Sequence, residues 1–406
     1  MRRPRVAITG LGVVSSVGIG WPSFWGSLLT GRSGISEITT FDTSDFPVHR
    51  GGEVRGFVPE RFVSALGRRR FSRASQFAIA AAKMAVEDAR FNLTELDSER
   101  IGVAIGTTMA EAQALEAMDT AWIHRGVRGI KPRLVPQYPG NMIGAHVAAE
   151  LGCQGPNLVI GTACAAGNYA LAHAFDLLQL GRADVVIAGG ADAFSRVAFT
   201  GFTRMFAVAP ERCQPFDRNR KGMIVGEGAG IAVLERLEDA QARRAPMYAE
   251  VIGYGMSCDA KHMTIPDVEG VKHVMARALA DAGLDPEDVD YVNAHGTGTP
   301  ANDRTECAAI RAVFGSHTDH LPVSSIKSII GHAMGAASAI EAIACALTIR
   351  DGRIPPTINF QDYDPECPID CVPNASRTYR VRIALNNSFA FGGNNACLIL
   401  RQASGG

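Results

Sequence analysis

Short β-rich apolar runs alternate along this chain with alanine-rich stretches of helical period, and that alternation leaves few architectures open. Strand candidates fall at residues 5–8, 101–105, 157–160, 185–188, 231–234 and 289–293. Helix candidates fall at 73–89, 167–180, 271–282 and 336–349. Helices must cover the apolar faces of the sheet that such strands build, so the pattern predicts a layered α/β fold. A faint repeat lies inside it. Ile8-Thr9-Gly10-Leu11-Gly12 and Val251-Ile252-Gly253-Tyr254-Gly255 both read strand, glycine, residue, glycine, and each opens one half of the chain. The halves are drawn at residues 1–248 and 249–406. No Pro/Ser-rich linker separates them, so one shared packed body is expected.

Composition removes several function classes. The 406 residues are 47% apolar and 20% charged, which excludes wholesale disorder. Forty Lys and Arg against 41 Asp and Glu leave a formal charge of −1. A coat for nucleic acid or an anionic membrane carries a basic surplus, so neither partner is expected. No apolar run reaches about 18 residues, so no membrane span is expected. Met1-Arg2-Arg3-Pro4-Arg5 imitates the basic end of a signal peptide, but Val6-Ala7-Ile8-Thr9-Gly10-Leu11-Gly12 is broken by glycine and reads as a first strand. The nine cysteines are scattered, with no C-x-x-C, and Cys367/Cys371 lack a second pair. Neither a disulfide scaffold nor structural zinc is expected, and a cytoplasmic location fits. Most of these cysteines should be small buried hydrophobes.

Four motifs carry chemistry. Gly161-Thr162-Ala163-Cys164-Ala165-Ala166-Gly167 follows a strand and opens a helix, which puts Cys164 on a sharp turn among small residues. A helix N-terminus favours the thiolate, and the arrangement parallels the nucleophile elbow of serine hydrolases. Asn293-Ala294-His295-Gly296-Thr297-Gly298-Thr299-Pro300 begins at the carboxyl end of a strand, where α/β sheets bind ligands. Lys327 and His332 lie around a turn at Gly331. The Ala-rich helix that follows carries Glu341 as a lone acid among Ile340, Ala342, Ile343 and Ala344, so a buried carboxylate needing Lys327 as partner is expected. Phe389-Ala390-Phe391-Gly392-Gly393 reads as a flexible aromatic loop. Each motif alone also fits a plain structural role: a buried Cys in a turn, a turn-capping His, a surface ion pair, a hairpin with core aromatics. Together they describe thiol-based acyl chemistry.

With these motifs in this order, the chain resembles the elongating, type II β-ketoacyl-acyl-carrier-protein synthases of the thiolase superfamily and the related type II polyketide ketosynthases. Pro215-Phe216-Asp217-Arg218 and Gly226-Glu227-Gly228-Ala229 add to the resemblance, which spans nearly the whole chain. It implies the thiolase fold, a duplicated five-layer αβαβα sandwich, with the nucleophilic Cys in the first half and both catalytic His in the second. It implies an acyltransferase of fatty-acid or polyketide elongation, with Cys164 as the acylated nucleophile and His295 and His332 favouring malonyl decarboxylation. Backbone N–H groups of Cys164 and Phe391 are implied as an oxyanion hole, and Lys327 with Glu341 as an electrostatic pair. Thr297 and Thr299 would hold the pantetheine arm, and Phe389 and Phe391 would gate the second substrate. Met109, Phe202 and Leu134 would line the acyl pocket, Leu134 in a segment where a partner chain approaches. Acyl carrier protein is the implied partner, docking on Arg68, Arg69, Arg70 and Arg73, although such a run is ordinarily a solvated face. A homodimer or a heterodimer with a related subunit is implied, with no metal and no cofactor beyond the carrier's phosphopantetheine. Two other readings stay open at this point: a thiolase acting on coenzyme A esters, and a chain-length-factor-like partner subunit. Ala390 stands where glycine is usual between the two Phe, which puts loop mobility in question.

Overall fold

A computed structural model describes residues 3–64 and 71–403. Ten strands make the main sheet path. In chain order they are β1 Val6–Ser15, β2 Ile101–Gly106, β3 Asn157–Ile160, β4 Val185–Asp192, β5 Gly228–Arg236, β6 Ala249–Cys258, β7 Tyr291–Asn293, β8 Val323–Ser324, β9 Ile383–Phe389 and β10 Asn394–Arg401. The helices that matter here are α1 Arg73–Asp88, α2 Ala166–Gln179, α3 Val268–Ala282, α4 Pro300–Phe314 and α5 Ala337–Asp351.

The strands are ordered β8-β7-β9-β10-β6-β1-β5-β4-β2-β3. Read inward from either edge, each half has the order third, second, fourth, fifth, first. The directions match as well: β3, β2 and β4 are parallel and β5 turns antiparallel, as β8, β7, β9 and then β10 do. The two glycine-bearing strands that echo each other in sequence are therefore the first strands of equivalent halves. They pair with one another at the junction, Val6 opposite Val251 and Ile8 opposite Ala249.

Helix α1 covers the outer face of the first half and α3 with α4 that of the second, while α2 and α5 pack together between the two sheet halves. The result is five layers. Alpha5 shows why it lies in the middle. Every residue from Ala337 to Ile349 is buried, and a helix apolar all round has no face to give to water. Gly167 lets α2 and α5 touch, because a Cβ there would stand 2.6 Å from the Ala339 nitrogen.

Only the 157–160 strand has the expected bounds; the others differ in extent, and two differ for instructive reasons. Beta1 runs on through Gly10 and Gly12 to Ser15; those glycines give no break because they lie against α1, where a Cβ would meet the Ala85 and Ala81 carbonyls at 2.0 and 1.8 Å. Beta7 starts only at Tyr291, since Pro286–Asp288 forms a 3₁₀ turn first. The 389–393 segment is a hairpin turn between β9 and β10 rather than a free loop. Eight cysteines are buried free thiols and Cys258 is exposed. No helix of the described residues is long and apolar enough to cross a membrane.

Candidate active site

The site forms where strands end. Beta3 leads into Cys164, β2 into Met109, β7 into His295, β8 into Lys327 and His332, and β9 into Phe391, all at carboxyl ends. Cys164 sits in a short 3₁₀ turn, Ala163–Ala165, that runs directly into α2. Ala163 is held at φ 48°, a left-handed conformation costly for a residue with a Cβ. Ser388 on β9 fixes the turn from the other half, donating to the Cys164 carbonyl at 2.9 Å.

His332 Nε2 lies 3.1 Å from the Cys164 sulfur. Its Nδ1 accepts the Met334 N–H at 3.2 Å, so the ring proton is on Nε2 and faces the sulfur. His295 stands beside it, rings 5.5 Å apart and nearly perpendicular. Burial, and then the Lys327 charge, hold both imidazoles well below their ordinary range, so both are neutral. Burial pushes the Cys164 thiol up to about 11, while the Lys327 charge and the backbone N–H groups of Cys164 and Phe391 favour the charged sulfur. Both N–H groups therefore act on the Cys164 sulfur. The ring nitrogens and sulfur of Cys164, His295 and His332 lie within 4.8 Å of one another, close enough to hold a metal ion.

Lys327 is buried and donates to Glu341 Oε1 at 2.5 Å. Thr297 and Thr299 share a hydroxyl hydrogen bond of 2.8 Å and line the same cleft as Cys164 and both histidines. Phe389 packs edge-on against His295 at 5.8 Å. Phe391 lies 6.0 Å from Phe202, and both join an apolar cluster with Met109 and Met334. Ala390 is absent from the residues at positive φ, where Gly392 and Gly393 stand at 85° and 77°. The alanine therefore adds no backbone strain to this hairpin turn.

Some expected residues are not gathered here. Leu134 is half-buried in the 3₁₀ turn Pro132–Leu134, and neither it nor Met109, which packs behind Phe202 and Phe391, lines the cleft. Arg68, Arg69 and Arg70 lie outside the described residues. Arg73 is not a free cation: its guanidinium grips the buried Glu227 at 2.6 and 2.9 Å and stacks over Phe77.

Other residues escaped the sequence reading. Glu306 on α4 accepts the backbone N–H groups of His295 and Gly296, each at 2.8 Å, and so sets the histidine loop. Its signal was an acid one helical turn beyond Asn302-Asp303. Asp259 and residues 262–266 line the cleft; Met263 O accepts the Gly392 N–H at 2.7 Å and Asp259 Oδ1 accepts Asn395 at 2.6 Å, fastening the hairpin turn.

Comparison with known proteins agrees with this geometry. The chain matches the family models "Beta-ketoacyl synthase, N-terminal domain" over residues 3–240 and "Beta-ketoacyl synthase, C-terminal domain" over 248–361. It is 41% identical to 3-oxoacyl-[acyl-carrier-protein] synthase 2 of Synechocystis sp., covering 99% of each chain. It is 41% identical to the protein of the same name from Staphylococcus aureus strain COL, covering 98% of each. Among solved structures it resembles the ishigamide ketosynthase/chain length factor at TM-score 0.97 and 43% identity, over 99% of this chain and 100% of that one. It also resembles AntDE:AntF, a type II polyketide synthase acyl-carrier protein in complex with its ketosynthase, at TM-score 0.92 and 33% identity over 99% and 100%.

Proposed function

The chain belongs to the β-ketoacyl synthase family, and we propose the following division of labour for its condensation of an acyl chain with malonyl-carrier protein. The Cys164 sulfur attacks the thioester of an acyl-carrier protein; the carrier's thiol leaves with the proton, and the acyl group stays on sulfur. Malonyl-carrier protein then enters past Phe389 and Phe391, its pantetheine arm along Thr297 and Thr299. His295 and His332 donate to the thioester oxygen, the bond to the carboxylate breaks, and carbon dioxide leaves an enolate behind. The enolate carbon attacks the Cys164 thioester, the thiolate departs, and the chain is two carbons longer. Neutral histidines suit this role, because an N–H donor is needed and no proton has to be removed from carbon. Lys327 holds the field of the site with Glu341 and attacks nothing. The reaction takes no metal and no cofactor of its own.

One observation carries the reading: a thiol on a strained strand-to-helix turn, 3.1 Å from a neutral His Nε2–H, with a second neutral imidazole alongside. Fatty-acid and polyketide elongation both fit. The likeness to a ketosynthase/chain length factor and to a ketosynthase in complex with its acyl-carrier protein supports an assembly of two related chains served by a carrier. Docking on the Arg68–Arg70 run is part of the proposal. Reversing Arg68 and Arg69 to Glu should raise KM for carrier-bound substrate and leave a small thioester mimic unaffected; an equal effect on both removes docking from the account.

The test is intact-protein mass spectrometry. Mixed with acyl-carrier proteins of different chain length, the wild type should gain an acyl mass that Cys164→Ala does not, and lose it on adding malonyl-carrier protein. No acyl mass with any carrier would contradict the reading.

A further inference from the structure

Asp192 ends β4, is fully buried, and belongs to none of the motifs above. Its carboxylate accepts from two separate segments. Oδ1 takes the Thr107 hydroxyl at 2.7 Å and the Met109 N–H at 3.0 Å, while Oδ2 takes the Thr108 N–H at 2.8 Å and the Gly335 N–H at 2.6 Å. Residues 107–109 follow β2 and deliver Met109 to the apolar cluster with Phe202 and Phe391. Gly335 lies in the 3₁₀ turn Met334–Ala336, whose Met334 N–H orients His332.

A second observation shows the two segments in direct contact. A Cβ on Gly335 would stand 2.6 Å from both the Thr107 carbonyl carbon and the Thr108 nitrogen. Met334 between them is held at φ 53°, with its side chain in the same cluster as Met109. The Met109 segment therefore cannot shift without pressing on the peptide that aims His332. Four donors converge on one fully buried carboxylate, and charged hydrogen bonds of this kind are the stronger ones. Burial pushes the Asp192 carboxyl up to about 6, so it is ionised at neutral pH and can accept from all four donors.

We propose that Asp192 is a positioning residue that locks the Met109 segment and the His332 turn into one unit, so that the acyl chain the pocket accepts and the decarboxylating histidine are set together. This rests on the condensation reading above.

Asp192→Asn is nearly isosteric but turns one acceptor into a donor facing two donors. It should lower malonyl decarboxylation about tenfold and change the ratio of kcat/KM between long and short acyl-carrier proteins at least threefold. Asp88→Asn is the control. Asp88 is another carboxylate with several donors, from Leu11, Trp21 and Tyr248, but it ends α1 beside β1 and does not line the cleft. It should reduce stability while leaving the chain-length ratio unchanged. An Asp192→Asn protein whose ratio and decarboxylation follow stability alone, as in Asp88→Asn, overturns the proposal. If Asp192→Asn does not fold, Thr107→Val removes one of the four bonds; it should move the ratio the same way by about twofold, and an unchanged ratio overturns the proposal. A wild type that condenses normally while these variants show no coupling refutes this inference alone. A wild type that condenses nothing refutes the reading beneath it.

Discussion

Lys327 and Glu341 make a salt bridge of 2.5 Å with side chains 1% and 0% exposed. Taking away either partner leaves the other charge in apolar surroundings. Burial pushes Glu341 up to about 7 even with the lysine pulling it down. In Lys327→Met the carboxyl loses that pull and must bind a proton or remain uncompensated. Breaking a buried pair from one side costs about 3–5 kcal/mol. Glu341→Gln strands the ammonium and should cost about as much. Replacing both partners by groups of similar shape removes the charge problem altogether, so Lys327→Met/Glu341→Gln should be less destabilised than either single variant. The double-mutant coupling is then at least about 3 kcal/mol, at or above the upper end for residues in contact. Urea unfolding of the four proteins at pH 7.5, followed by tryptophan fluorescence, measures it. Condensation should stay lost in the double variant, since the cation beside Cys164 and the histidines is gone. Effects that add to within about 0.5 kcal/mol would refute the pairing. Recovery of condensation in the stable double variant would show that packing, not charge, is what the pair supplies.

His295→Ala and His332→Ala should each lower decarboxylation about 10²–10³-fold, the usual loss of an oxyanion donor, while Cys164 is still acylated; loss of acylation in step with decarboxylation would refute the division of roles. Thr297→Val and Thr299→Val should each raise KM for carrier-bound substrate by about tenfold or less, one hydrogen bond's worth, with kcat little changed. Burial raises Glu306 to about 7 from 4.5. The folded state thus binds this proton more tightly than the unfolded chain, so its contribution to stability is largest at low pH and falls as pH rises through 4.5 to 7. Against Glu306→Gln, the wild type should lose about 3 kcal/mol of relative stability from pH 4.5 to 7.5; a flat difference contradicts the burial argument.

What the sequence exposed and what it hid follow one physical rule. Cys164 was legible because its neighbours are all small and lie between an apolar strand and a helix, so the turn is written locally. The Lys327–Glu341 pair was legible because an acid inside an apolar helix requires a partner. The layered α/β class came from periodicity, and the repeat from two strand–glycine echoes that prove to pair with each other. Asp192 was hidden because its donors lie 83 to 143 residues away and nothing beside it marks them. Arg73 looked like one more surface arginine because Glu227, its partner, is 154 residues distant. The sequence left the 389–393 segment open between a loop and a hairpin because the carbonyl that fastens it belongs to Met263, in a stretch with no motif of its own.

The central claim is that sulfur carries the acyl chain while the two histidines release carbon dioxide without its help. Carbon dioxide release from malonyl-carrier protein by Cys164→Ala, set beside Cys164→Ala/His332→Ala, tests that claim most directly. The account predicts that Cys164→Ala still releases carbon dioxide, forms no β-ketoacyl product, and loses that release about 10²–10³-fold when His332 is also removed. A Cys164→Ala protein that releases no carbon dioxide, or a double variant that releases it undiminished, would contradict it.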